Sequence, residues 1–314
     1  MRIDDCRLMI VDLKDRAKRF HQSSIINHQS SIQRGQWLSF IFAVLLFFCC
    51  SGVVAAADVN DLIFQGADYH YKGNLDKAIN RFEEAIKLEP KNEYAHNQLG
   101  ILYGKKGKFD KAFREFLTVA DIDRQNTFAL LWLGILHLRK GEMNQAFERF
   151  NKIIQIDQNN ADSYYFLGTI YNFRHNPVMA IEYLKKARNA DSGEADTHFR
   201  LAKAFHNADM IANALLEYNR ALEIKPSYTK ALNEIGWIYY NTGKKEAAIK
   251  QWEKTLKINS KDRDAILNLA KVYNDSAWDA FTSGKRKDAL KYWRKTLNIN
   301  PGNKAAKYYM AKYG

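Results

Sequence analysis

Apolar and small residues recur along this chain with the spacing of paired amphipathic helices. In the stretch Val59–Asn92 they lie three and four positions apart from Leu62 to Tyr69, which places them on one helix face. The same spacing returns from Ala78 to Ile86, after a turn that contains Gly73. A glycine can take the left-handed conformation that ends a helix. The pattern therefore predicts a helix, a tight turn and a second helix.

This stretch is one copy of a unit of 34 residues. Further copies begin at Glu93, Thr127, Ala161, Ala195, Thr229 and Arg263. A fixed period of this length indicates an array of small structural units, each of which buries its apolar face against its neighbours. The sequence thus predicts an all-α fold.

Certain positions of the unit keep the same kind of residue. Position 8 is small in every copy: Gly66, Gly100, Gly134, Gly168, Ala202, Gly236 and Ala270. Position 20 is alanine: Ala78, Ala112, Ala146, Ala180, Ala214, Ala248 and, after an insertion, Ala289. Position 11 is aromatic or histidine, position 24 is large, and proline closes three units. Small residues at positions 8 and 20 predict a close approach of the two helices of a unit.

These marks resemble the tetratricopeptide repeat, whose pattern has L-G, Y, A, F and P at fixed offsets. The resemblance covers Val59 to Asn303. It implies a right-handed α-solenoid of seven helix-turn-helix repeats, with the first helix of each repeat on the concave side. The family's K-x-x-x-N and K-x-x-x-R carboxylate clamp is not matched, so chaperone C-terminal peptides are not implied as ligands.

The seventh unit is longer than the others. Its turn glycine, Gly284, arrives seven residues late, about two helical turns, and an apolar face continues through Phe281. We therefore predict one long first helix of about 20 residues in this unit. The segment 304–314 predicts a short helix, rich in Lys and Tyr, that caps the last repeat.

Residues 1–57 form a leader of a different kind. A polar segment precedes the apolar stretch Trp37–Phe48, and Ala55, Ala57 and Asp58 supply an A-x-A cleavage pattern just before the first repeat. A basic flank, a short apolar core and small residues at the exit are typical of a signal peptide. We expect the repeats, residues 58–303, to be exported.

Three alternatives for the leader remain open at this stage. The stretch 37–57 is long enough to span a bilayer uncut, as an inner-membrane anchor. The motif Leu46-Phe47-Phe48-Cys49 is a poor match to a lipoprotein box, because bulky Phe fills positions where small residues are expected. The polar segment before Trp37 could also be translated upstream sequence. A cleaved signal peptide, an uncut anchor and a lipidated segment would each place the repeats in the periplasm or another extracytoplasmic compartment.

Charge and cysteine content limit the classes of function that the chain can have. The formal net charge is +13, which favours anionic partners or surfaces. All three cysteines lie in the leader, so the repeats hold no disulfide, thiol nucleophile or thiolate metal site. No H-E-x-x-H or phosphate-loop spacing occurs, and we expect no enzyme, cofactor, metal or small-molecule substrate.

The variable positions of the first helices are the candidate binding groove. They are aromatic, apolar and amide-bearing, as interaction surfaces often are. The predicted groove residues are Tyr94, Asn97, Phe128, Leu131, Tyr165, Asn172, Phe173, Phe199, Lys203, Asn207, Asn233, Trp237, Tyr240 and Asn241. The alternative is that some of these side chains pack between adjacent first helices.

A second candidate surface is basic. Clusters of Lys and Arg lie in the turns between paired helices, which would align along one edge of a solenoid. These residues are Lys105, Lys106, Lys108, Lys244, Lys245, Lys285, Arg286 and Lys287. The alternative is an ordinary solvated surface.

Two functions follow from these surfaces. The first is a non-enzymatic scaffold that holds a partner polypeptide in the groove and supports assembly of a cell-envelope complex, such as a pilus, secretion or outer-membrane complex. The second is an envelope adaptor whose basic edge binds anionic lipid or cell-wall polymer. We expect no nucleic-acid partner, since the leader directs the chain away from it.

Overall fold

The computed structural model describes residues 58–314, and within them it confirms the predicted all-α fold. The residues on which the predictions for the leader rest, including Ala55 and Ala57 of the cleavage pattern, fall outside the described residues. Fifteen helices follow one another in the described part of the chain, in which no strand occurs. They are α1 (Val59–Tyr71), α2 (Leu75–Leu88), α3 (Glu93–Lys105), α4 (Phe109–Ile122), α5 (Thr127–Lys140), α6 (Met143–Ile156), α7 (Ala161–Phe173), α8 (Pro177–Ala190), α9 (Ala195–Asn207), α10 (Ile211–Ile224), α11 (Thr229–Asn241), α12 (Lys245–Ile258), α13 (Arg263–Thr282), α14 (Arg286–Ile299) and α15 (Lys304–Tyr313).

The helices form two compact units, and the division falls within α7. The described residues of the first unit are 58–163, and the second unit comprises residues 164–314. In the first unit, α1 packs on α2, α3 on α4 and α5 on α6, and α2 and α4 also pack on the first helix of the following pair. In the second unit, the pairs α9–α10, α11–α12 and α13–α14 are joined in the same way, and α15 packs on α14. Within the residues that the structure describes, no helix is long and apolar enough to cross a membrane.

The last residue of several repeats starts the following helix. Asn126 accepts a hydrogen bond from the backbone N–H of Ala129 through its side-chain oxygen, at 3.0 Å. Asn92, Asn160 and Asp262 cap α3, α7 and α13 in the same way. A side-chain acceptor here satisfies an N–H that the first turn of a helix leaves without a partner.

Left-handed residues end the first helix of each pair. The turn glycines, Gly141 among them, have φ between +74° and +80°. His175 (φ +56°) and Asp209 (φ +58°) hold the equivalent place in the fourth and fifth repeats. The turn therefore keeps its backbone geometry where the sequence lacks glycine.

The recurrent glycine at position 8 lies against the large residue at position 24 of the same repeat. A Cβ built on Gly134 would lie 2.6 Å from the ring of Phe150, and one built on Gly100 would lie 2.6 Å from the ring of Phe116. Both rings are buried. The glycine thus makes room for a ring, and the buried alanines at position 20, such as Ala146, bring the two helices close.

The seventh repeat differs from the others as the sequence indicated. Its first helix, α13, has 20 residues instead of 13 or 14. Phe281, from the added turns, packs at 4.6 Å from the ring of Tyr313 in α15. Tyr309 stacks on Trp293 at 4.8 Å. The long helix and the last helix thus close this end of the second unit around the buried Trp293.

Candidate functional site

Side chains of the second unit link the first helices of successive repeats. Asn207 of α9 donates from Nδ2 to Oδ1 of Asn172 on α7, at 2.8 Å. Lys203 of α9 forms an ion pair with Glu234 of α11 at 3.2 Å. The Tyr240 hydroxyl of α11 donates to the Asp275 carboxylate of α13. These contacts place the first helices of the second unit side by side.

The predicted groove residues that reach the surface of this layer are polar or aromatic. Asn207 and Asn241 are exposed, and the others are partly buried. We call this set the second-unit surface: Asn172, Phe173, Lys203, Asn207, Trp237, Tyr240 and Asn241. Trp237 packs edge-on against the buried Trp252 and against Tyr240, at 5.8 and 5.5 Å between ring centroids. The indole is therefore fixed by the core while part of it stays open to a partner.

Four predicted groove residues are buried, so the predicted exposure is wrong for them. Leu131, Tyr165, Phe199 and Asn233 have exposed fractions of 3%, 2%, 5% and 8%. All four hold position 5 of the unit. Neighbouring segments cover this position: the Phe199 ring, for example, packs on Tyr218 of α10 at 5.6 Å and on Tyr228, the residue before α11, at 5.1 Å. They serve the packing between helices and do not present a surface.

The first unit carries a smaller part of the prediction. Tyr94 and Phe128 are partly buried, and their rings pack edge-on against Phe82 and Phe116 at 6.2 Å in each case. Burial raises the pKa of the Tyr94 hydroxyl. The side-chain oxygen of Asn97 is buried without a hydrogen-bond partner among the described residues.

Sequence reasoning missed several members of the surface in the second unit. Leu267, at position 5 of the last repeat, is 47% exposed. Lys271 lies over the Tyr240 ring at 5.3 Å and 3.6 Å from Asp275. The repeat pattern could have predicted both residues, since Leu267 and Lys271 hold positions 5 and 9, which predicted groove residues in earlier repeats.

The predicted basic edge is partly neutralised by nearby carboxylates. Lys106 pairs with Asp76 in the first unit, and Lys245 pairs with Asp279 in the second. The Lys105 amine lies 2.5 Å from Nε2 of His70, and burial lowers the pKa of Lys105. Of the remaining edge residues, Arg286 donates to the backbone carbonyl of Tyr313, at 3.2 Å. Lys108, Lys244, Lys285 and Lys287 form no ion pair within the residues that the structure describes.

A buried histidine at position 4 connects three segments in the second repeat. Nδ1 of His96 lies 2.7 Å from the Glu115 carboxylate, and Nε2 lies 3.0 Å from the backbone carbonyl of Pro90. Both partners only accept hydrogen bonds, so the geometry suits the doubly protonated ring. The hydrogen bond to Glu115 accordingly raises the pKa of His96.

The same arrangement recurs in the fifth repeat, within the second unit. His198 contacts the Glu217 carboxylate at 2.6 Å and the carbonyl of Ser192 at 3.2 Å. Arg188 donates to the other oxygen of Glu217 at 2.8 Å. Burial alone would raise the pKa of Glu217, but the contacts with His198 and Arg188 outweigh burial and hold that pKa below its ordinary value.

These histidines hold the fold together and do not resemble a reactive centre. Each ring uses both nitrogens on acceptors of the chain, which leaves neither free for proton transfer. In the part of the chain that the structure describes, no group of three or more His, Cys, Asp or Glu could hold a metal ion.

Comparison with known families agrees with this architecture. Family models described as "Tetratricopeptide repeat" match residues 94–126, 128–159 and 229–262, and one described as "TPR repeat" matches residues 66–107. A search of curated protein sequences finds no match.

Solved structures with a similar fold include three from bacteria. The C-terminal part of a TPR repeat-containing protein from Cytophaga hutchinsonii is 17% identical, with a TM-score of 0.63, over 80% of this chain and 98% of that one. A tetratricopeptide repeat protein from Parabacteroides merdae is 16% identical, with a TM-score of 0.59, over 81% and 97% of the two chains. PilF from Pseudomonas aeruginosa is also 16% identical, with a TM-score of 0.59, over 68% and 97%. At these identities the likeness concerns the fold alone.

Proposed function

The chain belongs to the tetratricopeptide repeat proteins, and from this premise we propose that it is a non-enzymatic scaffold whose second-unit surface holds an extended segment of a partner polypeptide. Repeats of this kind present a layer of first helices to protein or peptide partners. Two parts of the proposal, which surface binds the partner and in which cell compartment the partner lies, rest on this chain's own residues.

The observation that carries the proposal is the combination of fixed aromatic and open amide groups on one layer of helices. Trp237 is held by Trp252 and supplies apolar area, as anchors at interfaces do. Asn207 and Asn241 are exposed amides that can donate to and accept from a peptide backbone. An extended segment laid across the layer would meet both kinds of group.

The test replaces exposed amides without disturbing the core. The double variant Asn207→Arg, Asn241→Arg places two bulky cations on the second-unit surface. The matched control is Asn213→Arg, Asn219→Arg, which makes the same exchanges at exposed positions of α10. Both variants are compared with the unaltered chain by crosslinking in the native cell and mass spectrometry of the captured polypeptides.

The proposal expects a partner that crosslinks to the unaltered chain and to the control, and whose yield falls at least about tenfold with the Asn207/Asn241 variant, as for interface hot spots. A partner captured equally with both variants would show that another surface is used. Circular dichroism verifies that both variants keep their helix content.

We place the partner in a cell-envelope complex, on the support of the sequence of the leader. The apolar stretch Trp37–Phe48 and the small residues before Asp58 have the order of a signal peptide or an uncut anchor. Fractionation of cells, with N-terminal sequencing of the protein recovered, tests this setting. Recovery from the cytosol with the leader intact would contradict it.

A further inference from the structure

The positive charge of the protein is concentrated at one end of the second unit. In the first unit, residues 58–163 hold 15 Lys and Arg against 16 Asp and Glu. In the second unit, residues 164–314 hold 26 Lys and Arg against 15 Asp and Glu. Residues 285–314 alone hold nine Lys and Arg and a single acidic residue, Asp288. We call this segment, formed by the turn before α14, α14 and α15, the C-terminal basic end.

The cations of α14 lie on the side opposite its buried residues. Lys287, Lys291 and Arg294 are spaced by four and three residues, so they form one stripe along the exposed side of the helix. The opposite side carries Ala289 and Trp293, both buried. The stripe is therefore a consequence of the helix period and faces solvent.

The last helix adds a second stripe of the same kind. Lys304, Lys307 and Lys312 are exposed and flank Tyr308, whose side chain is 56% exposed, while Ala306 is buried against the core. Trp278 of α13, 47% exposed, packs on Tyr309 of α15 at 5.6 Å. Exposed aromatic rings therefore lie on and beside the basic helix.

These charges are not paired with carboxylates in the part of the chain that the structure describes. Within the residues that the structure describes, none of the nine cations of the C-terminal basic end forms an ion pair, in contrast to Lys106 and Lys245. Nine cations brought together in this way repel one another and attract a polyanion. The charge of this surface is therefore complementary to a strongly anionic ligand.

We propose that the C-terminal basic end binds the anionic lipid surface of a membrane. The cations lie on the outward sides of two helices, whereas an extended peptide needs a groove or a sheet edge. Exposed Trp and Tyr beside Lys are the residues that favour the boundary between headgroups and acyl chains. Nucleic acid attracts the same charges, but the apolar leader directs the chain toward a membrane.

The experiment compares two charge-reversal variants of the full chain on vesicles. The first is Lys287→Glu, Lys291→Glu, Arg294→Glu. The control is Lys250→Glu, Lys254→Glu, Lys257→Glu, which reverses three exposed charges with the same spacing on α12. Flotation is measured with vesicles of phosphatidylcholine alone and of phosphatidylcholine mixed with phosphatidylglycerol. The leader is present in every protein, so the difference between the two variants isolates the described helices.

We expect the extra affinity for the phosphatidylglycerol vesicles to fall at least about tenfold in the α14 variant and to change much less in the control, because each cation near an anionic surface contributes separately. The extra affinity should also decrease with added salt. An equal loss of affinity in both variants would show that only the net charge of the protein matters, and it would overturn the proposal.

Two soluble polyanions distinguish the other occupants. If polyglutamate or double-stranded DNA binds the unaltered chain and not the α14 variant, while the vesicles show no preference for phosphatidylglycerol, the surface recognises that polyanion and the membrane proposal fails. The proposal is independent of the scaffold function, since the vesicle experiment contains no partner protein. The Asn207→Arg, Asn241→Arg variant should keep its affinity for the vesicles.

Discussion

The indole of Trp252 lies directly against Gly236, so that a Cβ built on the glycine would be 2.4 Å from Nε1 of the indole. The same Nε1 donates to the backbone carbonyl of Asn233, one turn earlier on α11, at 3.2 Å. Glycine at position 8 is therefore what allows the buried indole of Trp252 to reach the backbone of the facing helix. The relationship joins the two helices of the sixth repeat.

The first prediction concerns this contact. Gly236→Ala forces the buried indole or the helix to move, and we expect a loss of about 1–3 kcal/mol in the free energy of unfolding, as for other overpacked cores. Gly104→Ala is the matched control, because a Cβ at that helical glycine would project into open space, with no other side chain within 4 Å. It should instead stabilise α3 by about 0.5–1 kcal/mol. Urea unfolding followed by circular dichroism measures both, and a Gly236 variant as stable as the unaltered chain would contradict the packing described.

The second prediction concerns the two turns that lack glycine. His175 and Asp209 adopt φ of +56° and +58°, a conformation that costs a residue with a Cβ about 1 kcal/mol. We expect His175→Gly to raise the stability by about 0.5–1 kcal/mol, and Asp209→Gly to raise it by less, because Asp tolerates this conformation better than most residues. The reciprocal change, Gly141→His, should lower the stability. Thermal unfolding of the three variants measures these changes in stability. A destabilised His175→Gly variant would contradict the proposed conformational cost at this position.

The repeat period and the pairing of helices follow from the sequence because each copy supplies the same local evidence again. The first helices begin at Val59, Glu93 and Thr127, the residues that open successive units. Late Gly284 similarly indicates the long α13. Such features depend on helix periodicity and on turn residues, which a single sequence displays.

The exposure of individual groove residues could not be predicted from the sequence, because it depends on side chains that are distant along the chain. Position 5 is buried in Phe199, where Tyr228 covers the ring, and 47% exposed in Leu267 of the last repeat. The contacts of His96 also escaped prediction, since they join a helix, the second helix of the same repeat and a carbonyl of the preceding repeat. Side-chain contacts that join three separate segments cannot be predicted from the local sequence pattern.

The third prediction is a pH dependence of stability. The hydrogen bond to Glu115 raises the pKa of His96 above its ordinary value. A raised pKa in the folded state means that the stabilising contribution is complete below the unfolded value, about 6.5, and is lost as the pH rises through the folded value. We therefore expect His96→Gln to destabilise the protein by about 1–3 kcal/mol at pH 5.5–6 and by less at pH 9. His206→Gln, a partly exposed site in α9, is the control. The measurement is the urea midpoint of each variant across this pH range. If the destabilisation caused by His96→Gln did not change with pH, the ring of His96 would not be charged in the folded protein.

The fourth prediction concerns the carboxylate shared by His198 and Arg188. Glu217 is 2% exposed and accepts from both, so Glu217→Ala leaves the buried His198 and the partly buried Arg188 facing a cavity. We expect a loss of about 3–5 kcal/mol at pH 7, as for other broken buried ion pairs.

The pKa of Glu217 is lowered, so its contribution is present above the unfolded value of about 4.3 and disappears as the pH falls through the folded value. The cost of Glu217→Ala should therefore shrink in acid, and the sign of its pH dependence should be opposite to that of His96. Glu223→Ala, an exposed site on the same helix, serves as the control and should change the stability by less than about 0.5 kcal/mol. Urea unfolding at pH 3 and pH 7 separates the two cases, and a cost that stayed constant across this interval would mean that Glu217 acts through packing and not through its charge.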